Sequence, residues 1–519
     1  MGYIIGVSSG MFGAAGREEQ ISYTDISQKA FYGALKGVNF TQIDIETATE
    51  LDSPYIEERT KKIRELGLSY GFHGETPAMR GASIALTSAV RDHYISSHNR
   101  LITNLENAGK LKGKYYLIHS CEATETPYVR LGMDLQPTTI VDFYGRDFYI
   151  FLEENKYLLD WAANNNEILT VTKAIRITEN YVSNYYRELI SKELEKIPKN
   201  ERTPEKIKEI IRKIAFKLRK NEILEFSKVS ELTYGSEKVA YKIIAKWMAE
   251  KKDPLWMGIV GNKSFEEIEK DYIMWVPAVA AKYIWGHFNP INKFKDPKQI
   301  LEKYKIYFVI ETPMVSAGME KDFRLTHPKH FVILAKNSNT SYFKIVFDFE
   351  HMLGAGINPD KEIEDMIPNG GKYVKVLHVG WPTALQPAHY PIFLGSEQQE
   401  WLYKWMFKLR KKGFDESEDR FIIFERSSPI GQRDPVMEST LALKKIIEFL
   451  RKDIPPDKLP LEFYGIDKKD FKMQEVQIRE HALDPIRGLL TIPEERHSFL
   501  SRAAIEKGKG NEWETEKYR

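Results

Sequence analysis

Eight short apolar runs divide the chain, and most of them stop at a polar residue. Residues 3–7 form the first run and residues 38–45 a less regular second. Residues 68–72 lead to His73, 115–118 to His119, 306–310 to Glu311 and 343–347 to Asp348. Residues 374–377 lead to His378 and 421–424 to Glu425. These runs are almost continuously apolar rather than alternating, which is how parallel strands covered on both faces read. Amphipathic stretches at residues 83–110 and 397–412 fit crossover helices. Asp434 and Pro435 open a further helix as N-cap and first residue. Its Val436, Met437, Leu441, Ile447 and Leu450 are expected to cover the wall. The pattern predicts an α/β chain, a (β/α)8 TIM barrel.

One interval breaks the rhythm. His119 and Glu311 lie 192 positions apart, whereas Glu311 to Asp348 spans 37 and Asp348 to His378 spans 30. The barrel is therefore expected in two pieces, residues 1–145 and 294–451, around a mainly helical insertion at 146–293. Residues 452–519 follow as a C-terminal extension that ends in a polar tail. Pro198 and Pro204 are expected to break helices inside the insertion.

Composition narrows the class. With 519 residues, 42% of them hydrophobic, the chain is long enough for a large core and is not a disordered or collagenous sequence. No run reaches membrane-spanning length, and no signal-peptide pattern opens the chain. Cys121 is the single cysteine, so an internal disulfide is impossible and the reducing cytoplasm is the expected compartment. The 76 basic residues nearly cancel the 74 acidic ones, so no global field marks a nucleic-acid binder. A local strip remains: residues 191–220 hold 11 basic and 5 acidic side chains. It reads as a nucleic-acid face or, more plainly, as an ordinary solvated helical face.

The candidate chemistry lies at the strand ends, where active sites of such barrels sit. His73, His119, Glu311, Asp348, His378 and Glu425 offer the imidazoles and carboxylates that bind Zn²⁺ or Mn²⁺. His351 follows Asp348 by three positions, and His389 follows His378 by 11 in a proline-rich loop. Glu350, between Asp348 and His351, is expected to point elsewhere and be solvated. Arg426, directly after Glu425, is the leading phosphate-binding candidate; Arg80 and Arg91 are expected at the surface. Lys375 is expected to pair at the barrel base or wall, Cys121 to be a small buried residue, and Trp401 to pack in the core. Trp381 is a candidate stacking platform.

The ordered strand-end residues resemble the xylose-isomerase-like barrel superfamily, most closely its endonuclease IV branch, over roughly residues 1–145 and 300–450. The resemblance implies that Glu311 bridges two zinc ions. His73 and His119 would complete one ion's shell, and Asp348, His378 and Glu425 the other's. His351 and His389 match two of three ligands of a third ion. The remaining ligand is an aspartate two residues before the last histidine; here it is Pro387, which cannot ligate, so two ions are expected. An aromatic three residues after the first ligating histidine is also absent, Thr76 standing there.

The implied activity is divalent-metal-dependent phosphodiester hydrolysis, an endonuclease at abasic or damaged DNA, with Glu311, Glu425 and Arg426 as its catalytic residues. The alternatives are a metal-dependent sugar or sugar-phosphate isomerase or epimerase, acting on a small sugar, and a metal-stabilised scaffold without catalysis.

Overall fold

A computed structural model describes residues 2–9, 26–35, 37–45, 50–52, 55–74, 84–119, 140–166, 168, 187–221, 223–291, 294–313, 315, 323–382, 389–425 and 436–466. The chain forms two compact units, Met1–Pro456 and Asp457–Arg519. In the second, the described part includes a 3-10 turn at Leu461–Tyr464.

Among the described residues eight strands close into a parallel barrel in chain order. They are β1 (Tyr3–Ser8), β2 (Phe40–Asp44), β3 (Ser69–His73), β4 (Tyr115–Ile118), β5 (Tyr307–Ile310), β6 (Phe343–Asp348), β7 (Val374–Val379) and β8 (Arg420–Phe424). Closure comes from β1 pairing with β8, where Tyr3 lies beside Arg420 and Val7 beside Phe424. The apolar runs thus mark all eight strands within a residue or two of their ends. Their burial explains the composition: β4, β7 and β8 are buried at every position.

Inside the barrel Phe40, Tyr115, Val309, Val346, Val376 and Phe421 belong to one buried cluster, with the Phe40 and Phe421 rings 4.4 Å apart. A Cβ at Gly71 would collide with the Tyr115 ring. Glycine there lets the ring cross the barrel, and the Tyr115 hydroxyl donates to Gln42 Oε1 at 3.0 Å. That contact links the packed interior to the polar residues above it.

Helices cover the outside. Glu397–Lys411 lies where amphipathicity placed it, whereas the helix expected over residues 83–110 begins only at Arg91 and runs to Lys110, residues 84–90 forming turn and bridge instead. The helix Val436–Arg451 buries Val436, Leu443, Ile446, Ile447 and Leu450. Met437 and Leu441, expected on the wall, are instead 60% and 53% exposed. Trp401, expected in the core, is 42% exposed, one turn before the buried Trp405. Each lies on the outer margin of its helix, where an apolar side chain has no layer to enter. Lys404 Nζ lies 4.7 Å from the Trp401 ring centroid.

Between residues 146 and 293 the described elements are helical, including Phe148–Glu154, Pro204–Asn221, Ile223–Glu250 and Tyr272–Phe288. Pro204 opens its helix, and Pro277 sits within another. Phe288 packs on Phe308 and Phe343 at 4.7 and 4.8 Å, at the starts of β5 and β6. Buried Glu237 accepts from Ala89 N at 2.7 Å and Ser88 Oγ at 3.0 Å, and pairs with Arg324 at 2.6 Å. That pair ties the helix Ile223–Glu250 to the segments that follow β3 and β5, on the face where the strand-end residues converge. Among the described residues no helix is long and apolar enough to cross a membrane.

Candidate metal centre

The strand ends deliver their polar residues to one place. His73 ends β3, His119 follows β4, Glu311 follows β5, Asp348 ends β6, His378 lies in β7 and Glu425 follows β8. Glu311 is fully buried at the centre. Its Oε2 lies 3.4 Å from His73 Nε2 and 3.5 Å from His119 Nε2. Its Oε1 lies 2.6 Å from His378 Nδ1 and 3.7 Å from His351 Nδ1. The two oxygens of one carboxylate therefore face two different sets of imidazoles.

Local folding explains the second set. Asp348 ends β6 and caps the helix Phe349–Gly354, its Oδ1 accepting from His351 N at 2.8 Å. The cap consumes one oxygen and turns His351 back toward the mouth. Oδ2 then lies 3.4 Å from His351 Nδ1 and 3.5 Å from His378 Nδ1. Glu425 Oε1 lies 3.1 Å from His378 Nδ1.

Neighbouring acceptors set the ring nitrogens. His73 Nδ1 donates to Gly74 O at 3.0 Å, which leaves Nε2 toward Glu311. His351 Nδ1 donates to Thr312 O at 3.0 Å. His378 Nε2 donates to Gln42 Oε1 at 2.9 Å, which leaves Nδ1 among three carboxylates. Gln42 Nε2 also donates to Glu425 Oε1 at 3.3 Å. Such outer partners orient ligands and fix their tautomers.

Burial opposes charge on these groups, and the cluster redistributes it. Burial would lower His73, yet the neighbouring Glu311 carboxylate and the charges of Asp44 and Glu425 raise it from 6.5 to about 9. Burial takes His119 down to about 3, with neighbouring imidazoles adding to the fall. Burial pushes Asp348 and Glu425 up. Glu311 goes the other way: burial would raise it, but chiefly His378 holds it well below the usual carboxylate range.

Two ligand groups emerge from the geometry, His73, His119 and Glu311 in one and Glu311, Asp348, His351 and Glu425 in the other. Within each, one donor atom per residue lies within 4.8 Å of the rest. Buried Glu311 Oε2 and Asp348 Oδ2 have no hydrogen-bond partner among the described residues. Buried oxygens are ordinarily paired, so these atoms and the mixed nitrogen and oxygen donors fit a divalent cation of the zinc or manganese type.

The remaining candidates fall elsewhere. His389 Nδ1 lies 3.7 Å from Glu425 Oε2, at the edge of the cluster. Glu350 is not solvated: it is 2% exposed and takes hydrogen bonds from His389, 39 residues away, which no local pattern announces. Lys375 pairs at the base with Glu418 at 2.8 Å. Arg91 is exposed at the start of its helix. Arg426, Arg80, Cys121, Thr76 and Pro387 lie outside the described residues. Gln42 and Asp44 were not anticipated. Both sit on β2, where Asp44 Oδ1 lies 4.0 Å from His73 Nδ1; the irregular run FTQID carries no strand-end signal.

No family model matches the chain, and no curated protein matches it. Solved structures similar to it include an L-ribulose 3-epimerase, at 10% identity and a TM-score of 0.41 over 87% of this chain and 96% of that one. A 3-keto-D-glucoside 4-epimerase from E. coli shares 11% identity, with a TM-score of 0.37 over 87% and 99%. An endonuclease IV from Thermus thermophilus shares 12%, with a TM-score of 0.36 over 88% and 100%. The barrel itself rests on its own strand ladder.

Proposed function

We propose that this chain is a divalent-metal-dependent phosphodiester hydrolase acting on DNA at abasic or damaged sites, with His73, His119, Glu311, Asp348, His351, His378, His389 and Glu425 as metal ligands. The observation that carries the hydrolase reading is the division of Glu311: Oε2 toward His73 and His119, Oε1 toward His378 and His351. A carboxylate split in this way suits two ions, more than a one-metal isomerase needs. When bound, such a pair supplies Lewis acidity for an in-line displacement at phosphorus.

The chain's own residues have separable tasks. Glu311 holds the two ligand groups together. His378, fixed by Gln42, keeps Nδ1 directed at the carboxylates. Glu425 Oε1 is engaged by His378 and Gln42. That leaves Oε2 to take the proton of the attacking water. Arg426, next in sequence, is assigned to the phosphate.

The DNA assignment rests on the strand-end resemblance. The basic strip adds little to it: Lys196 pairs with Glu193, Lys206 with Glu201 and Lys213 with Glu209. A second reading, sugar epimerisation or isomerisation, draws on a different observation. Glu311 is held low while burial pushes Glu425 up. Carboxyls separated in this way suit proton transfer on a small substrate.

One experiment separates them. Metal-loaded protein is given duplex DNA carrying a single abasic site and, separately, ketoses. Incision of the duplex is expected. Ketose conversion without incision would overturn the hydrolase in favour of the isomerase.

A further inference from the structure

Glu350 is a buried carboxylate beside the cluster that the strand ends do not account for. It lies in the first turn of the helix Phe349–Gly354, between the two potential ligands Asp348 and His351. Its Oε1 accepts from the His389 backbone N–H at 2.6 Å, and its Oε2 from His389 Nδ1 at 2.8 Å. Both oxygens thus act on one residue.

That residue is held in an unfavourable backbone shape. His389 has φ +46°, in the left-handed region. A non-glycine residue there costs on the order of 1–3 kcal/mol and persists only when its surroundings hold it. Two contacts do so: the Glu350 carboxylate, and the bridge in which Tyr390 N donates to Trp381 O at 2.9 Å. Space has been made for the carboxylate as well, because a Cβ on Gly380 would collide with Glu350 Oε2. The segments after β6 and β7 are therefore fitted to each other through one carboxylate–histidine contact, and that contact holds the His389 ring at the edge of the cluster, its Nδ1 3.7 Å from Glu425 Oε2.

We propose that Glu350 is a positioning residue that binds both N–H groups of His389, leaves Nε2 as its open nitrogen, and so sets the affinity of the Glu425-side ion. The proposal rests on the two-ion reading for its effect on affinity, while the clamp itself does not. A carboxylate behind a ligating imidazole fixes the ring and raises its basicity, and its loss typically weakens metal binding roughly 10–100-fold.

The test uses the full chain with Glu350→Gln, His389→Ala and the double variant. Zinc affinity is measured by chelator competition, and ¹⁵N spectra are recorded with histidine-selective labelling. Glu350→Gln is expected to weaken the second zinc equivalent roughly 10–100-fold and leave the first unchanged. The double variant should lose no more than His389→Ala alone. An unchanged second equivalent, or losses that multiply in the double variant, would overturn the proposal. If wild-type protein takes up no zinc, the two-ion reading fails by itself. The clamp is then judged on the His389 Nδ1 resonance, which must shift in Glu350→Gln; an identical resonance in both proteins overturns it.

Discussion

The two ends of the barrel hold charge in opposite ways. At the base, the single carboxylate Glu418 meets Lys344 at 2.9 Å, Lys375 at 2.8 Å and Arg420 at 2.9 Å. Donors left over find backbone carbonyls: Lys344 Nζ reaches Lys372 O at 2.8 Å, and Arg420 reaches the same oxygen at 3.2 Å. Lys375 also lies 4.0 Å from the Tyr307 ring centroid. At the mouth, three carboxylates and five imidazoles crowd together, and Glu311 Oε2 and Asp348 Oδ2 have no hydrogen-bond partner among the described residues. Both clusters lie in one barrel, the base one partly open at Glu418. The base closes upon itself, as a structural network must to offset desolvation. The mouth does not, and the counterpart its donors fit is a divalent cation.

The largest effect is expected from Glu311→Gln. Both ligand groups contain Glu311, so the variant should lose both ions and all activity while melting close to wild type. Metal analysis and thermal unfolding on the same sample check this. At the base the reverse is expected. Glu418→Gln leaves the buried Lys375 and Arg420 and the half-buried Lys344 without their carboxylate and should cost about 3 kcal/mol of stability. Its metal content should stay at the wild-type level, as denaturant titration and metal analysis will show.

Acid sharpens the contrast. Burial would raise Glu418, but Lys375, Lys344 and Arg420 hold it down from 4.5 to about 2. A depressed carboxyl stabilises the fold above its unfolded value and loses that contribution as pH falls through its folded value. Roughly 3 kcal/mol should therefore disappear between about pH 4.5 and pH 2, and Glu418→Gln should show none of that loss in stability-versus-pH curves.

Smaller effects follow from the outer residues. Gln42→Ala removes the acceptor of His378 Nε2 and should weaken metal binding roughly 10–100-fold in chelator competition. Lys213→Ala breaks only an exposed pair with Glu209. It should shift stability by less than about 0.5 kcal/mol and leave duplex-DNA binding unchanged; a marked loss of DNA binding would restore the basic strip as a nucleic-acid face.

The fold was legible because buried parallel strands write themselves as apolar runs, broken near the base only by Lys344 in β6 and Lys375 in β7 and, in β2, by Thr41 and Gln42. The strand-end residues were legible for the same reason: His73, His119, Glu311, Asp348, His378 and Glu425 are the first polar positions after such runs. Gln42 was hidden because β2 mixes Thr41 and Gln42 into its buried face, so no run ends there. Glu350 was hidden because its partner comes from another loop, and a carboxylate beside two potential ligands reads as solvated until that partner is known. Met437, Leu441 and Trp401 show the limit of amphipathic periodicity, which marks an apolar face but not where the neighbouring layer stops.

Whether Glu311 joins two metal groups is read by counting zinc bound per chain after stripping and reconstitution, in wild type and in Glu311→Gln. About two ions in the wild type and almost none in the variant are predicted. Fewer than about 0.3 ion per wild-type chain, where a two-ion site requires about two, would contradict it.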